Sequence, residues 1–131
     1  MNVLLVKGYG IGNVLLVTPL IRALHSLGHD ITMVCEYTGI DVVTGYPYLK
    51  ALHRWFPGHT QNEQAILNEL SRHQFDISIA SVPVHGNEKA FLVVARQTLN
   101  TGKIYNWTRH EAEVNLDYAR ALGWTGTWER S

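Results

Sequence analysis

The feature of this sequence that most restricts its fold is a glycine-rich loop between a buried strand-like run and an amphipathic helix. The run Asn2–Lys7 has an apolar centre and ends at Gly8, as expected for a strand buried on both faces of a parallel sheet. From Asn13 onward, apolar residues recur at steps of three and four, which predicts a helix that Gly28 closes. A second apolar run, Ile31–Cys35, predicts another buried strand. Strand, helix and strand in this order predict a right-handed parallel crossover unit.

The alternation of strand-like and helix-like segments continues along the chain. Weaker strands are predicted at 51–56 and 75–81, with a helix over about 61–73 between them, at whose start Thr60 and Glu63 have the spacing of a capping box. Pro19 lies inside the first predicted helix, where it should remove one backbone hydrogen bond and cause a kink. The other predicted elements are a short helix within 38–44, a helix capped by Asn87 that carries Phe91, Val94 and Leu99, a strand at 103–106 and a last helix that begins with Thr108 and Glu111.

Five strands that alternate with helices predict a single α/β domain, a Rossmann-like, doubly wound parallel sheet with strand order 3-2-1-4-5. The chain has 131 residues, of which 46% are apolar, and this is enough for one domain with its own core. We assign the domain to residues 1–123 and interpret 124–131 as a tail or the start of an interdomain linker. Ligands of such sheets bind beyond the carboxyl ends of the strands, where the strand order reverses. The loop Gly8–Asn13 is therefore predicted to lie at the site.

The composition argues against several classes of function. The 11 acidic and 11 basic side chains cancel, so no long-range field gathers nucleic acid or an anionic membrane. No apolar run reaches the roughly 18 residues of a membrane span, and the sequence opens on a strand-like segment rather than a leader, from which we expect a cytoplasmic protein. The seven histidines have no spacing typical of a metal site, so no metal is expected. Cys35 has no partner cysteine and is interpreted as a small buried hydrophobe.

Two interpretations of the glycine loop follow from the residues alone. Its amide groups, at a helix start, suit an anionic or polar ligand. Glu36 follows Gly12 by 24 residues (36 − 12), near the place of a ribose-binding acid, which favours a dinucleotide-binding module of an NAD-dependent oxidoreductase. Asn13 stands where that pattern requires a third glycine. The alternative is that the glycines only form a tight turn and that Glu36 is a solvated strand end.

A further interpretation rests on resemblance to a known family. The opening strand, the pair Gly12-Asn13 and residues 18–24 (TPLIRAL) resemble the first strand, Gly-Asp pair and Thr-Pro-Leu-x-Arg-Ala-Leu helix of the amino-terminal domain of glycosyltransferase family 9, the heptosyltransferase-like enzymes. Residues 110–116 (HEAEVNL) are similar to a His-Glu-x-x-x-Asn-Leu segment of that family and also precede an Ala-Leu-Gly helix end. The resemblance spans nearly the whole chain, with weaker likeness at Tyr46-Pro47 and at 75–79.

The resemblance implies a two-domain GT-B enzyme that transfers a sugar from a nucleotide donor without a metal ion. In that architecture the first domain holds the acceptor and the second holds the nucleotide sugar. Because this chain extends only to Ser131, we expect the acceptor-binding half alone, with no cofactor of its own and no turnover without a donor-binding domain. The implied role is lipopolysaccharide or related glycan synthesis, with a glycan or lipid-linked sugar as the acceptor.

Candidate site residues follow from the resemblance and, for Lys7 and His85, from their positions after predicted strands that border the site. Asn13 occupies the position of the family's aspartate, whose carboxylate, as the resemblance implies, is the general base that deprotonates the acceptor hydroxyl. An amide cannot take a proton from a hydroxyl near neutral pH. Asn13 is therefore interpreted as an acceptor-binding residue, a helix N-cap or both, and a catalytically dead sugar-binding scaffold is a further alternative. Trp124 and Trp128 are expected to face the missing domain or a second copy of the chain. The predicted acceptor-binding residues are Lys7, Gly10, Gly12, Asn13, His85 and His110.

Overall fold

The strands form one all-parallel sheet. The computed structural model describes residues 1–7, 17–80, 89–99, 116, 118–123 and 125, with the backbone alone at positions 7 and 89. The sheet has the order β3-β2-β1-β4-β5, and every neighbouring pair is parallel. The predicted fold class and strand order are therefore confirmed. The strands are β1 Asn2–Lys7, β2 Asp30–Glu36, β3 Ala51–Trp55, β4 Phe75–Ala80 and β5 Ala95–Leu99.

Helices connect these strands. They are α1 Thr18–Ser26, α2 Thr60–Leu70 and the one-turn α3 Lys89–Leu92, with a 3₁₀ helix at Ile40–Val42 and helical backbone at 118–121. Gly28 ends α1 as predicted: its φ is +83°, and its N–H donates to the His25 carbonyl at 2.9 Å while the next N–H donates to the Leu24 carbonyl at 3.3 Å. This pair of bonds is a Schellman motif, which needs the left-handed backbone that glycine adopts without strain. No helix in the described ranges has the length and apolar character to cross a bilayer.

The central strand β1 separates two apolar layers. Val3 and Leu5 lie in one layer with the buried face of α1 and with Leu116 and Tyr118. Leu4 and Val6 lie in the other layer, which contains residues from β3, α2 and α3. These four central side chains of β1 have no exposed surface, which is the pattern that a run of consecutive apolar residues predicts for a strand covered on both faces. The sheet is therefore doubly wound.

The structure places Pro19 at the start of a helix rather than inside one, while residues 13–16, where the prediction begins that helix, lie outside the described part of the chain. The helix that the structure describes begins at Thr18, so Pro19 lies in its first turn. The N–H groups of a first turn have no intrahelical acceptor, and the fixed φ of proline suits the start of a helix. Pro19 therefore costs α1 no backbone hydrogen bond.

The predicted capping box at the start of α2 is wrong. The N-cap is His59 rather than Thr60, and no side chain caps the helix. The Glu63 carboxylate instead accepts a hydrogen bond of 2.9 Å from the indole Nε1 of Trp55. Trp55 is fully buried, so its N–H requires an acceptor inside the protein. This requirement outweighs the local preference of Glu63 for the helix start.

The fifth strand was predicted at the wrong place. The sheet uses Ala95–Leu99 as β5, within the segment predicted to be a helix carrying Phe91, Val94 and Leu99, and α3 ends at Leu92. Residues 103–106 lie outside the described part of the chain. The middle of β5 is Arg96, Gln97 and Thr98, all exposed, as is common for a strand at the edge of a sheet. With no apolar alternation, its pairing with β4 fixes it as a strand.

The Trp55–Glu63 hydrogen bond yields a stability prediction. Glu63→Ala leaves the buried indole N–H without an acceptor and should lower the free energy of unfolding by about 1–3 kcal/mol. Glu63→Gln keeps a carbonyl acceptor and should cost much less. Urea denaturation measures both. Glu69→Ala is the control, because its contacts with Arg72 and His73 lie on the exposed helix surface and should contribute under about 1 kcal/mol. Equal losses for the two alanine variants would contradict the assignment.

His53 in β3 makes stability depend on pH. Partial burial lowers the pKa of His53; the nearby Glu69 carboxylate opposes this shift and His73 reinforces it. The unfolded imidazole titrates near its ordinary pKa of about 6.5, so the fold favours the neutral form. The stabilisation is complete above that value and declines as the pH falls through it towards the lower pKa of the folded state. The urea concentration at the unfolding midpoint should decrease as the pH is lowered from about 7.5 to about 5.5, and it should decrease less in His53→Gln. An NMR titration of His53 with a midpoint at or above the ordinary pKa would refute the shift.

Candidate functional site

The carboxyl edge of the sheet is where this topology places a binding site. Because all five strands are parallel, the chain leaves every strand at the same edge. Chain order reverses beside β1, whose neighbours are β2 on one side and β4 on the other. In sheets of this topology the loops on the two sides of such a reversal depart in opposite directions and leave a crevice, which predicts the site between the ends of β1 and β4. Neighbouring strands lie about 4.8 Å apart, so a small polar ligand can contact both loops.

The structure shows where the predicted acceptor loops begin. The backbone of Lys7 ends β1 at this edge, and Val6 pairs with Ala80 at the end of β4. The other predicted acceptor-binding residues, Gly10, Gly12, Asn13, His85 and His110, lie outside the described residues, as do Trp124 and Trp128. The described backbone thus brings the loops after β1 and β4 to adjacent starting points. The individual contacts stay predictions.

Tyr118 connects the last described helical residues to the same edge. Its buried hydroxyl donates a hydrogen bond of 3.1 Å to the carbonyl of Ala80. Tyr118 lies in the same apolar layer as α1 and has no exposed surface. The helical residues that follow the 110–116 motif are therefore fixed against the last residue of β4. The ends of β1 and β4 and the helical residue Tyr118 thus lie together at this edge.

Glu36 is a buried polar group at this edge. It ends β2, one residue beyond the Lys7–Cys35 pair, and only 6% of its surface is exposed. The Thr38 hydroxyl donates to its Oε2, and its carbonyl accepts the N–H of Gly39 at 3.1 Å. The alternative that Glu36 is a solvated strand end is therefore wrong. The reason is the turn after β2, which folds Thr38 back onto the carboxylate.

An aromatic pair at the same edge was not identified from the sequence. Tyr37 follows β2 and Phe56 follows β3; their rings stack with centroids 5.0 Å apart and an angle of 23°. Tyr37 is 49% exposed. The available signal was an aromatic residue at the carboxyl end of each of two predicted strands, Tyr37 just after one and Phe56 as the last residue of the other, which the strand order makes neighbours. Within the described ranges, no group of three His, Cys, Asp or Glu side chains is placed to hold a metal ion.

The contact of Thr38 with Glu36 yields a second stability prediction. Thr38→Val removes a hydroxyl donor from a buried carboxylate and should lower the free energy of unfolding by about 1–2 kcal/mol at neutral pH. Thr38→Ser keeps the donor and should retain most of the stability. Thr44→Val is the matched control, because the Thr44 hydroxyl donates to a backbone carbonyl rather than to a charged group. Guanidinium denaturation curves compare the three variants, and a larger loss at position 44 than at position 38 would rule out the charged hydrogen bond as the source.

The structure of this chain matches known proteins, whereas its sequence alone does not. The sequence matches no protein-family model and no curated protein. The structure matches "E. coli heptosyltransferase WaaC with ADP" with a TM-score of 0.78 and 15% identity, covering 99% of this chain and 50% of that one. It matches the same enzyme "with ADP-2-deoxy-2-fluoro heptose" with a TM-score of 0.77 and 17% identity, covering 99% of this chain and 51% of that one.

A third solved structure is similar over the same extent. It is the "glycosyl transferase family 9 from Veillonella parvula DSM 2008", with a TM-score of 0.74, 20% identity and coverage of 95% of this chain and 42% of that one. The chain thus spans about half the length of the solved structures that it matches. Over nearly all its length, its fold is that of one half of these GT-B glycosyltransferase structures.

Proposed function

We propose that these 131 residues are the acceptor-binding half of a nucleotide-sugar-dependent glycosyltransferase of the heptosyltransferase type, family 9. The observation that carries the proposal is the match of 99% of the chain to half of a heptosyltransferase structure at a TM-score of 0.78. The sequence likeness at 18–24 and 110–116 supports the same family independently of the fold. The proposal includes a cytoplasmic location and a role in lipopolysaccharide or related glycan synthesis.

The topology supports a site for a polar acceptor at the carboxyl edge. The residues that we assign to it belong to the loops after β1 and β4 and to the 110–116 motif, whose neighbours in the chain meet at this edge. Glycines in the first loop allow backbone amides to approach a hydroxyl or phosphate closely. Amide, imidazole and ammonium groups complete a set of donors for sugar hydroxyls and acidic substituents. The assigned residues are Lys7, Gly10, Gly12, Asn13, His85 and His110.

The chemistry of sugar transfer sets what Asn13 can do. The acceptor oxygen forms a bond to the anomeric carbon of the donor, the bond from that carbon to the nucleotide breaks, and the hydroxyl proton passes to a base. The amide of Asn13 can orient the hydroxyl but cannot accept that proton. The nucleotide sugar is held by a donor-binding domain, which Trp124 and Trp128 are proposed to contact; the alternative for these two residues is a second copy of the chain. Without a donor-binding domain, residues 1–131 bind the acceptor and transfer no sugar.

Ligand titration separates this proposal from a dinucleotide-binding module. Calorimetry with a deacylated lipopolysaccharide core oligosaccharide should give saturable binding, while NAD and ADP should give none in the micromolar range. Tryptophan fluorescence provides an independent readout. Micromolar NAD binding without oligosaccharide binding would replace the proposal with the oxidoreductase alternative. Rapid sugar transfer by these residues without a donor-binding domain would also contradict it.

Asn13 yields a prediction about rate. Asn13→Asp in a chain joined to a donor-binding domain places a carboxylate where the proton must go and should raise kcat for sugar transfer by about 10²–10⁴-fold. Asn13→Ala is the matched control, which should weaken acceptor binding without raising kcat. The measurement is release of nucleoside diphosphate with the oligosaccharide as acceptor. If Asn13→Asp gives no gain, the chain is instead a sugar-binding scaffold without catalytic function.

A further inference from the structure

The stacked rings of Tyr37 and Phe56 form an aromatic platform at the carboxyl edge, directly after β2 and β3. Tyr37 is among the few large apolar or aromatic side chains of the described residues that are substantially exposed, at 49%. Its ring lies on Phe56, which is only partly exposed. One face of Tyr37 is thus occupied by protein while about half of the residue's surface contacts solvent. Phe56 thus holds one face of the Tyr37 ring, and the exposed part of the residue is available to a ligand.

Backbone contacts hold the platform in place. The Tyr37 N–H donates to the Trp55 carbonyl at 2.9 Å, which extends the pairing of β2 and β3 by one step. The Phe56 N–H donates to Asn62 Oδ1 at 2.8 Å, and Asn62 Nδ2 donates to the Arg54 carbonyl at 3.0 Å. One asparagine of α2 therefore clamps the chain on both sides of Trp55. The backbone under both rings is fixed by these bonds.

The turn after Phe56 adds to this support. Its Pro57-Gly58 centre, the φ of +85° at Gly58 and the 3.0 Å bond from the His59 N–H to the Phe56 carbonyl fit a type II turn. The turn places the His59 ring edge-on to Phe56, with centroids 5.8 Å apart. His59 and Thr38 are both exposed. The platform is therefore an apolar face with the imidazole of His59 as a hydrogen-bonding group beside it, while the Thr38 hydroxyl is engaged by Glu36.

This combination matches the two-sided chemistry of a sugar ring. A pyranose has a face of C–H bonds, whose partial positive charge suits the electron-rich face of an aromatic ring, and hydroxyls around its perimeter that need polar partners. The platform is preorganised, so little conformational entropy is lost when a ring stacks on it. β2 and β3 lie about 4.8 and 9.6 Å from β1, distances comparable with the reach of a short oligosaccharide from the crevice.

We propose that the aromatic platform of Tyr37 and Phe56 is a second saccharide subsite, which stacks a sugar of the acceptor glycan next to the sugar that reacts. This inference rests on the proposed function, because it assumes that the acceptor occupies the crevice between β1 and β4. It adds a substrate class: the preferred acceptor is an oligosaccharide that spans from the crevice to β3, rather than a single sugar. A nucleobase could also stack on such a ring, and the test separates the two ligands.

The test compares binding of two saccharides to the native chain and to variants of Tyr37. The probes are a deacylated lipopolysaccharide core oligosaccharide and a methyl glycoside of one of its sugars, measured by calorimetry. Tyr37→Ala and Tyr37→Leu both remove the ring and should weaken oligosaccharide binding about tenfold while changing methyl glycoside binding much less. Tyr37→Phe keeps the stacking face and should lose far less affinity. Val93→Ala is the matched surface control, because Val93 is 76% exposed and precedes β5, which lies at the other end of the strand order from β3.

The outcomes distinguish this subsite from the proposed function. If the native chain binds the oligosaccharide and Tyr37→Ala binds it equally well, the subsite is refuted and the proposed function stands. If the native chain binds neither saccharide, the proposed function fails and the subsite fails with it. ADP is titrated in the same way as a third probe; if the native chain binds ADP and the Tyr37 variants lose affinity for ADP but not for the oligosaccharide, the platform holds a base and the inference is overturned. Contacts between Tyr37 ring protons and sugar C–H protons in the NMR spectrum of the native complex test stacking without any substitution, and their absence in a saturated complex would also refute it.

Discussion

The burial of β1 on both faces is the constraint on which the rest of the structure depends. Its four central side chains have no exposed surface, so its backbone groups must find partners in neighbouring strands rather than in water. β2 and β4 provide them, both parallel to β1. Parallel neighbours require crossover connections, and these connections supply the helices that cover the two faces. Burial of one short apolar run thus produces the doubly wound sheet and brings all strand ends to one edge.

Buried polar contacts determine how the covering elements sit on that sheet. The Ser78 hydroxyl, fully buried in β4, donates to the Leu92 carbonyl at 2.8 Å and so fixes the end of α3. The Trp55 indole fixes the first turn of α2 through Glu63, and the Tyr118 hydroxyl fixes the final helical residues against β4. A buried donor without an acceptor costs more than an average hydrogen bond contributes. These contacts therefore select one arrangement among the many that hydrophobic burial alone would allow.

The carboxyl edge gains its chemistry from residues that follow the strands. Glu36 is held within the protein by Thr38, while Tyr37, its neighbour in the chain, stacks on Phe56 with much of its surface in solvent. Two consecutive residues thus take opposite roles, one buried and polar, the other exposed and aromatic. The turn after β2 makes these opposite roles possible, because side chains in a turn no longer have to alternate between the two faces of a sheet. The described part of this edge therefore combines a buried carboxylate with a supported, partly exposed ring.

The sequence by itself determined the fold class, the strand order and the helix end at Gly28, because these depend on apolar runs, on the rules of parallel crossovers and on local glycine conformation. The sequence also predicted that the binding site lies at the loops after β1 and β4, and the contacts of Asn13, His85 and His110 stay predictions. Tertiary structure decided the position of β5, the role of Glu63 and the burial of Glu36. Each of these depends on a partner that is distant in the chain or brought near by a turn. β5 has no apolar pattern and is a strand because it pairs with β4. The Glu63 carboxylate is held by the Trp55 indole, and the Glu36 carboxylate by the Thr38 hydroxyl. Local preferences in the sequence are small compared with the cost of an unpaired buried group, and only the folded chain shows which groups are buried.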